Sequence, residues 1–455
     1  MWIASQEVHF LGSDPSEERE FHHMLTAEEN ETLVRIGPET PMGRMMRRFW
    51  MPIATSAQVA ENDSNPLRTT LLGENFVVFR DTDGKVGVLD ELCMHRGASL
   101  ALGRVEKGGI RCLYHGWQFA ADGTILDTPN HCDPRVKKRL KARALPVREA
   151  GGLIWVHLGR KGEVTEFPHF AFMDGADENR AVLRVNIEAN YLQLFEGGTD
   201  SSHVGILHSN LANPSWMDDD FTPPADADNP GALAVADNAP ELEIEDTAFG
   251  FHYVAKRKGP DAADGSATHS VRVTPVFLPV GRIIPAPGTQ YFVFEVPQTD
   301  GATSTYIIVH GPNPVDRDRV IELMGLHDGR FWNDVDCNFR ASWADGMGQD
   351  RSRMDRDWTG FSGIQQEDAL MAMSMGPIFD RTKEHVVAAD RAVLHLRARL
   401  LESVRRNEAG EEPIGLGMPD MGAVRSLPDT TLRTDDDWRA EVPGNRAGLP
   451  ALADA

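Results

Sequence analysis

Residues 92–100 read LCMHRGASL and residues 111–119 read RCLYHGWQF. The first stretch supplies Cys93 and His95, the second Cys112 and His115, with seventeen residues from His95 to Cys112. The surrounding chain is rich in short β-type runs. TTLLGENFVVFRDTDGKVGVLD (69–90), GGIRCLYHGWQFAADGTILD (108–127) and GGLIWVHLG (151–159) alternate apolar and polar positions, and DTDGK and AADGT are turn signals between strands. Each Cys/His pair therefore falls in a turn that joins strands, and two such turns can close on one metal centre.

Two thiolates and two imidazoles suit either zinc or an iron–sulfur cluster. In a Rieske [2Fe–2S] centre two cysteines hold one iron and two histidines the other. Zinc ribbons usually pair two C-x-x-C units, which makes the C-x-H of Cys93 and His95 atypical for zinc.

A second cluster lies in NYLQLFEGGTDSSHVGILH (190–208), which contains Asp200, His203 and His208 as D-x-x-H-x-x-x-x-H. Two histidines and one carboxylate on one face of an iron leave adjacent positions open for O₂. On a regular helix Asp200 and His203 share a face, but His208 lies about 140° round from His203. The helix must bend, widen or end between them. A π-type turn would serve, and Gly205 lies in that interval.

The motifs C-x-H-R-G-A and C-x-Y-H-G-W-x-F resemble the Rieske motif of the aromatic ring-hydroxylating oxygenases. MGRMMRRFWMP (42–52), with the two β-rich stretches above, is similar to the α subunits of the phthalate dioxygenase-like group. The resemblance covers about the first 215 residues and thins afterwards. It implies Cys93, His95, Cys112 and His115 as cluster ligands, and His203 and His208 as ligands of a mononuclear Fe(II). It places the third ligand at the start of a late helix, where GIQQEDALMAM (363–373) offers Asp368, with Glu367 as the near competitor. It makes Asp200 a bridge from His203 to His115 of a neighbouring chain rather than a ligand. It further implies a homo-oligomer, a head-to-tail trimer, fed with electrons from NAD(P)H through a separate reductase or ferredoxin. The reaction class is O₂-dependent hydroxylation of a small aromatic, carboxylate-bearing substrate. Dihydroxylation, monohydroxylation and oxidative O-demethylation all stay open. An electron carrier or a zinc-stabilised binding module are the readings from other classes.

The fold class expected is α+β: a small all-β Rieske domain followed by a catalytic domain with a helix over a curved antiparallel sheet. Residues 1–45 form an N-terminal helical segment, 46–160 the Rieske domain, 161–410 the catalytic domain and 411–455 an extension. Within these, MLTAEENETLVRIG (24–37) reads as helix and GRMMRRFW (43–50) as a basic turn. Residues 181–215 read as helical and 241–310 as strands. Residues 364–375 and 380–406 read as helix. The Pro-, Gly- and Asp-rich tail wraps a neighbour or is partly disordered. The substrate pocket is expected between residues 190–215, strands at 249–310 and the 363–376 segment. His252, Lys256, Arg257, His269, Arg272 and His310 are its polar candidates.

Composition narrows the field further. The 455 residues carry a net charge of −23, which argues against a nucleic-acid partner. No apolar run suggests a membrane span or a signal peptide, so a cytoplasmic setting is expected. Four cysteines in such a length are not a disulfide framework. No G-x-G-x-x-G follows a strand, so a nicotinamide or flavin site of the chain's own is not expected. VKKRLKAR (136–143) is a basic island that would steer an acidic electron carrier, or else is a solvated helix face.

Overall fold

The computed structural model describes residues 25–131, 134–159, 162–209, 237, 239–355, 357–418 and 420–446. The first 24 residues of the N-terminal segment, Cys132 and the end of the tail thus lie outside the described residues. So does the end of the expected pocket frame, from residue 210 onward.

The helix Ala27–Val34 begins at a capping box, in which Thr26 accepts from the Glu29 N–H and Glu29 reaches back to the Thr26 N–H. The expected basic turn after it is instead a short helix, Pro41–Met46, capped by Thr40 with proline at its start. Its basic residues are tied down locally: Arg47 donates to the carbonyls of Ile36, Gly43 and Leu72, and Arg44 pairs with Glu408.

Ten strands follow, β1 Trp50–Thr55, β2 Leu67–Leu71, β3 Glu74–Arg80, β4 Val86–Asp90, β5 Arg104–Glu106, β6 Gly109–Arg111, β7 Gln118–Phe119, β8 Ile125–Asp127, β9 Val147–Ala150 and β10 Leu153–His157. They form three antiparallel sheets, in the orders β1-β10-β9, β2-β3-β4 and β5-β6-β7-β8. Both turn signals are realised. Asp81 accepts from the N–H groups of Asp83 and Lys85 between β3 and β4, and Gly84 takes φ +83°. Asp122 accepts from Thr124 between β7 and β8, with Gly123 at φ +84°.

The larger unit contains β11 His169–Phe170, β12 Arg180–Ile187, β13 Glu241–Thr247, β14 Gly250–Lys258, β15 Thr268–Phe277, β16 Gly281–Ala286, β17 Thr289–Thr299, β18 Ala302–His310, β19 Asp420–Met421 and β20 Leu427–Arg433. The main sheet runs β12-β18-β17-β16-β15-β14-β13, with β20 also paired to β15. The helix expected from residue 181 is corrected: RAVLRVNI is strand β12, and among the described residues up to 209 the α-helix is Tyr191–Gly197, before a short 3₁₀ turn at His203–Gly205. Ala181, Leu183, Val185 and Ile187 are all buried in one apolar cluster, the two-residue period of a strand.

The late helix is also shorter than expected and begins at Arg391, running to Glu408. Upstream, Asp380 closes a turn onto Thr382 and Asp390 accepts from the Val387 N–H, local bonds that compete with helix. Ala392, Leu396, Leu400 and Val404 form a stripe four residues apart that packs into the main core. Over its described part the tail packs on the molecule's own sheet. β20 adds to the molecule's own sheet, and Trp438 and Val442 are buried with Val254, Val271 and Val273. The two units share one core, where Trp155 meets Phe294 edge-on at 5.5 Å.

Candidate metal centres

The two Cys/His turns are one loop built twice. The Cys93 N–H donates to the Ala98 carbonyl and the Gly97 N–H to the Cys93 carbonyl, at 2.9 and 2.8 Å. Likewise, the Cys112 N–H donates to the Trp117 carbonyl and the Gly116 N–H to the Cys112 carbonyl, at 2.8 and 3.0 Å. Gly97 and Gly116 hold the equivalent position at φ +72° and +76°, where a side chain would be strained. Both thiols are buried, and burial pushes Cys93 up to about 11, with Cys112 adding to the rise. Thiols so shielded ionise when a metal takes the proton's place.

The imidazoles complete the donor set. The His95 and His115 rings approach edge to face at 4.6 Å, and His95 stacks on Trp117 at 4.7 Å. His115 is half-buried, and its Nδ1 is fully shielded without a hydrogen-bond partner among the described residues. A buried ring nitrogen left unpaired is unusual and fits a metal ligand. Two thiols and two imidazoles from matched loops therefore fit a [2Fe–2S] cluster of the Rieske type.

The second cluster forms where the helix Tyr191–Gly197 ends. Asp200 Oδ1 caps the following turn by accepting from the Ser202 N–H at 2.8 Å. Of the three ways expected for the histidines to meet, the helix ends: it stops at Gly197 and His203 sits in a 3₁₀ turn, with no π-type turn there. Donor atoms of His203, His208 and Asp368 all lie within 4.8 Å of one another. The Asp368 Oδ1 is 3.8 Å from His203 Nε2 and 3.1 Å from His208 Nε2. This donor set fits Fe(II).

Each histidine is tied from behind by a carboxylate. His203 Nδ1 lies 3.2 Å from Asp200 Oδ2, and His208 Nδ1 lies 2.7 Å from Glu367 Oε2. With each Nδ1 held by a carboxylate, each Nε2 is aimed at Asp368, and its lone pair would serve a bound metal once any proton there is displaced. Burial works against ionised Asp368, yet His208 and His203 hold its carboxyl below the usual range. Burial similarly opposes ionised Asp200, and His203 holds it low. Glu367 is pushed up by burial, against His208 and against Thr359, whose hydroxyl donates to its Oε1 at 2.5 Å. Glu367, the near competitor for third ligand, instead faces His208 Nδ1.

A cavity of about 360 Å³ opens beside this cluster, within the range of small-molecule sites. Its wall includes Asp200, His203, Ile206, Asp368, Met371 and Met375. The three segments expected to frame the pocket do so, but the six polar candidates do not line it. His252 is buried between Phe249 and Trp438 and meets Asn445 at 3.1 Å. Lys256 pairs with Glu243 and Arg272 with Asp429. His269 and His310 lie at strand ends paired to β20 and to β12 and β17. Arg257 comes nearest, donating to the carbonyl of Ser201 at 3.3 Å. The charged pair in the wall is instead Arg282 and Glu295, 2.8 Å apart. A lone arginine in β16 carries no motif, and only the sheet order brings it to the site. The basic island is largely paired, Lys141 with Asp122 and Arg143 with Glu74 and Asp90.

Comparison with known proteins shows the family of each unit. The Rieske [2Fe-2S] domain family matches residues 49–141, and the family described as LigXa C-terminal domain like matches residues 156–446. The phthalate 4,5-dioxygenase oxygenase subunit of Pseudomonas putida is 35% identical over 429 residues, covering 91% of this chain and 94% of that protein. The 3-chlorobenzoate-3,4-dioxygenase oxygenase subunit of Comamonas testosteroni is 30% identical, covering 87% and 93%. Among solved structures, the terminal oxygenase of carbazole 1,9a-dioxygenase from Nocardioides aromaticivorans IC177 shares the fold at a TM-score of 0.53 and 18% identity, covering 83% of this chain and 97% of that one.

Proposed function

Because this chain belongs to the Rieske-type non-haem iron oxygenases, in their phthalate dioxygenase-like group, we propose that it oxidises an aromatic carboxylate with O₂ at the His203, His208 and Asp368 centre. The chain is a terminal oxygenase component, a mono- or dioxygenase that depends on a [2Fe–2S] cluster, mononuclear iron and electrons from a separate reductase or ferredoxin. The observation that carries the site assignment is the convergence of two Nε2 atoms and one carboxylate at a cavity, with both Nδ1 atoms tied behind them.

When bound, the cluster and the ferrous iron supply one-electron transfer and O₂ activation. The protein's own residues do the rest. Asp200 and Glu367 fix the tautomers of His203 and His208. Met371, Met375 and Ile206 give the cavity an apolar side suited to an aromatic ring. Electrons cross from a neighbouring copy in a head-to-tail trimer, with Asp200 joining His203 to that copy's His115. Two features support this. Asp200 keeps 21% of its side chain exposed while holding His203. The loops carrying the first centre end in an apolar rim, Leu92, Leu113 and Tyr114, each more than half exposed. Such a rim favours burial against a second surface.

The test is turnover with NAD(P)H, a reductase and O₂ on a panel of benzoates, with product identification. Diols, phenols and formaldehyde distinguish dihydroxylation, monohydroxylation and O-demethylation. Oxygen incorporation into at least one aromatic acid is expected. Reduction of the cluster without oxidation of any acid in a broad panel would refute the substrate class.

A further inference from the structure

The helix Ile364–Ser374 brings Asp368 to the iron site, and one stripe of its side chains faces the cavity. Gln365, Asp368, Met371, Ala372 and, at its end, Met375 form that stripe, spaced three and four residues apart. Past Asp368 the stripe is apolar. Gln365 precedes Asp368 by about one helical turn, on the same face, and is only 7% exposed. Its amide has no hydrogen-bond partner among the described residues.

Two other buried glutamines beside it show what the fold does with an amide it uses for itself. Gln193 Nε2 donates to the carbonyls of Ala372 and Gly376, and its Oε1 accepts from the Phe379 N–H. Gln366 Nε2 donates to the Gly325 carbonyl, and its Oε1 accepts from the Ser362 N–H. Gln365 makes no such bond. Nor are its amide atoms completely covered, as Arg282 Nε and Nη1 are. The side chain belongs to the cavity wall, so the free amide opens there. A buried amide without a partner costs free energy that an apolar residue of the same length would not, and a bound molecule that pairs with it removes that cost.

We propose that Gln365 is a specificity-determining residue of this oxygenase, and that it binds an uncharged hydroxyl group on the ring of the aromatic substrate. The inference rests on the aromatic-acid reading above and deepens it, narrowing the substrate class to hydroxylated aromatic acids. A hydroxyl, like the amide, both donates and accepts, so it meets either Oε1 or Nε2. A carboxylate at this place is disfavoured, because Gln365 brings no charge to balance it and Asp368 lies about 4.5 Å further along the helix axis. A hydroxyl held one turn from the iron ligand sets which edge of the ring faces His203, His208 and Asp368.

The experiment is anaerobic calorimetric titration of the iron-loaded enzyme with benzoate and with ortho-, meta- and para-hydroxybenzoate. Gln365→Met and Gln365→Leu keep the bulk and remove the amide, and either variant suffices if the other fails to fold. Wild type is expected to bind at least one hydroxybenzoate about 5- to 100-fold more tightly than benzoate, the range for one or two hydrogen bonds. The variants should bring that ratio to about 1, with iron content and cluster colour retained. In turnover, the same ratio of kcat/KM should collapse. A merely structural role would weaken all four acids alike and leave the ratio standing. A wild type that binds benzoate as tightly as every hydroxybenzoate, or variants that keep the ratio, would overturn the proposal. A wild type with iron and cluster in place that binds none of the four acids would strike the aromatic-acid reading itself, and the role of Gln365 with it.

Discussion

Glu367→Ala is expected to weaken, and not abolish, the grip of the His203, His208 and Asp368 centre on ferrous iron. Glu367 is 1% exposed and accepts from His208 Nδ1 at 2.7 Å. Alanine leaves that N–H buried and without its acceptor, which costs about 1–3 kcal/mol. At about 1.36 kcal/mol per factor of ten, this corresponds to roughly 5- to 150-fold in affinity. Loss of a carboxylate behind a metal-bound histidine generally costs about 10- to 100-fold. The assay is anaerobic competition for ferrous iron against a chelator, with the cluster absorbance as internal standard. Glu367→Gln should recover part of the loss, because its amide oxygen can accept the same N–H. Asp368→Ala should lose the mononuclear iron outright. The reasoning fails if Glu367→Ala binds iron as wild type does. It fails equally if that variant empties the site while Asp368→Ala keeps it filled.

Further expectations follow from the same geometry. Burial disfavours the His208 imidazolium, but Asp368 and Glu367 outweigh it and raise His208 to about 10 in the metal-free protein. Iron must then displace a proton below that pH, so affinity should tighten from pH 6.5 toward 10 with proton release measurable in a weakly buffered indicator solution. Because the folded value lies above the ordinary one, the metal-free form should lose stability as pH rises through the same window, read as a falling Tm. Constant Tm and no proton release would contradict this. Gly97→Ala should cost about 1–2 kcal/mol for its left-handed backbone alone. Gly116→Ala should cost more, because its Cβ would also stand 2.9 Å from Pro129 Cγ; equal thermal shifts would refute the distinction. Asp200→Asn should keep cluster and iron yet lose turnover by orders of magnitude, seen as a cluster that reduces quickly and reoxidises slowly with substrate and O₂. Wild-type turnover in that variant would remove the role given to the neighbouring copy.

What the sequence carried and what it hid follow one physical divide. The grouping of Cys93, His95, Cys112 and His115 was legible because all four sit in two local loops, each set by its own glycine and backbone bonds. The pairing of His203 with His208 is weak by spacing alone and was read through the resemblance carried by those two loops. Glu367 and Asp368 could not be told apart by spacing, since the role of Glu367 comes from a contact with His208, 159 residues away in the chain. Arg282 was invisible because strand register alone brings it beside Asp368, and His252 misled because its face of β14 turns to Trp438 and Asn445. The stretch RAVLRVNI has the apolar content of a helix, and its pairing with β18 decided for strand. The tail reads as irregular by composition, yet β15 offers an edge on which Leu427–Arg433 forms a strand.

The central claim is that one chain holds two separate iron centres, and His208→Ala tests it most directly. Iron and acid-labile sulfide should be measured per chain, together with the visible spectrum of the cluster. Wild type should contain about three irons and two sulfides. The variant should contain about two irons and two sulfides, with its cluster spectrum unchanged and turnover absent. A variant that still holds the third iron, or one that loses its colour together with it, would contradict the account.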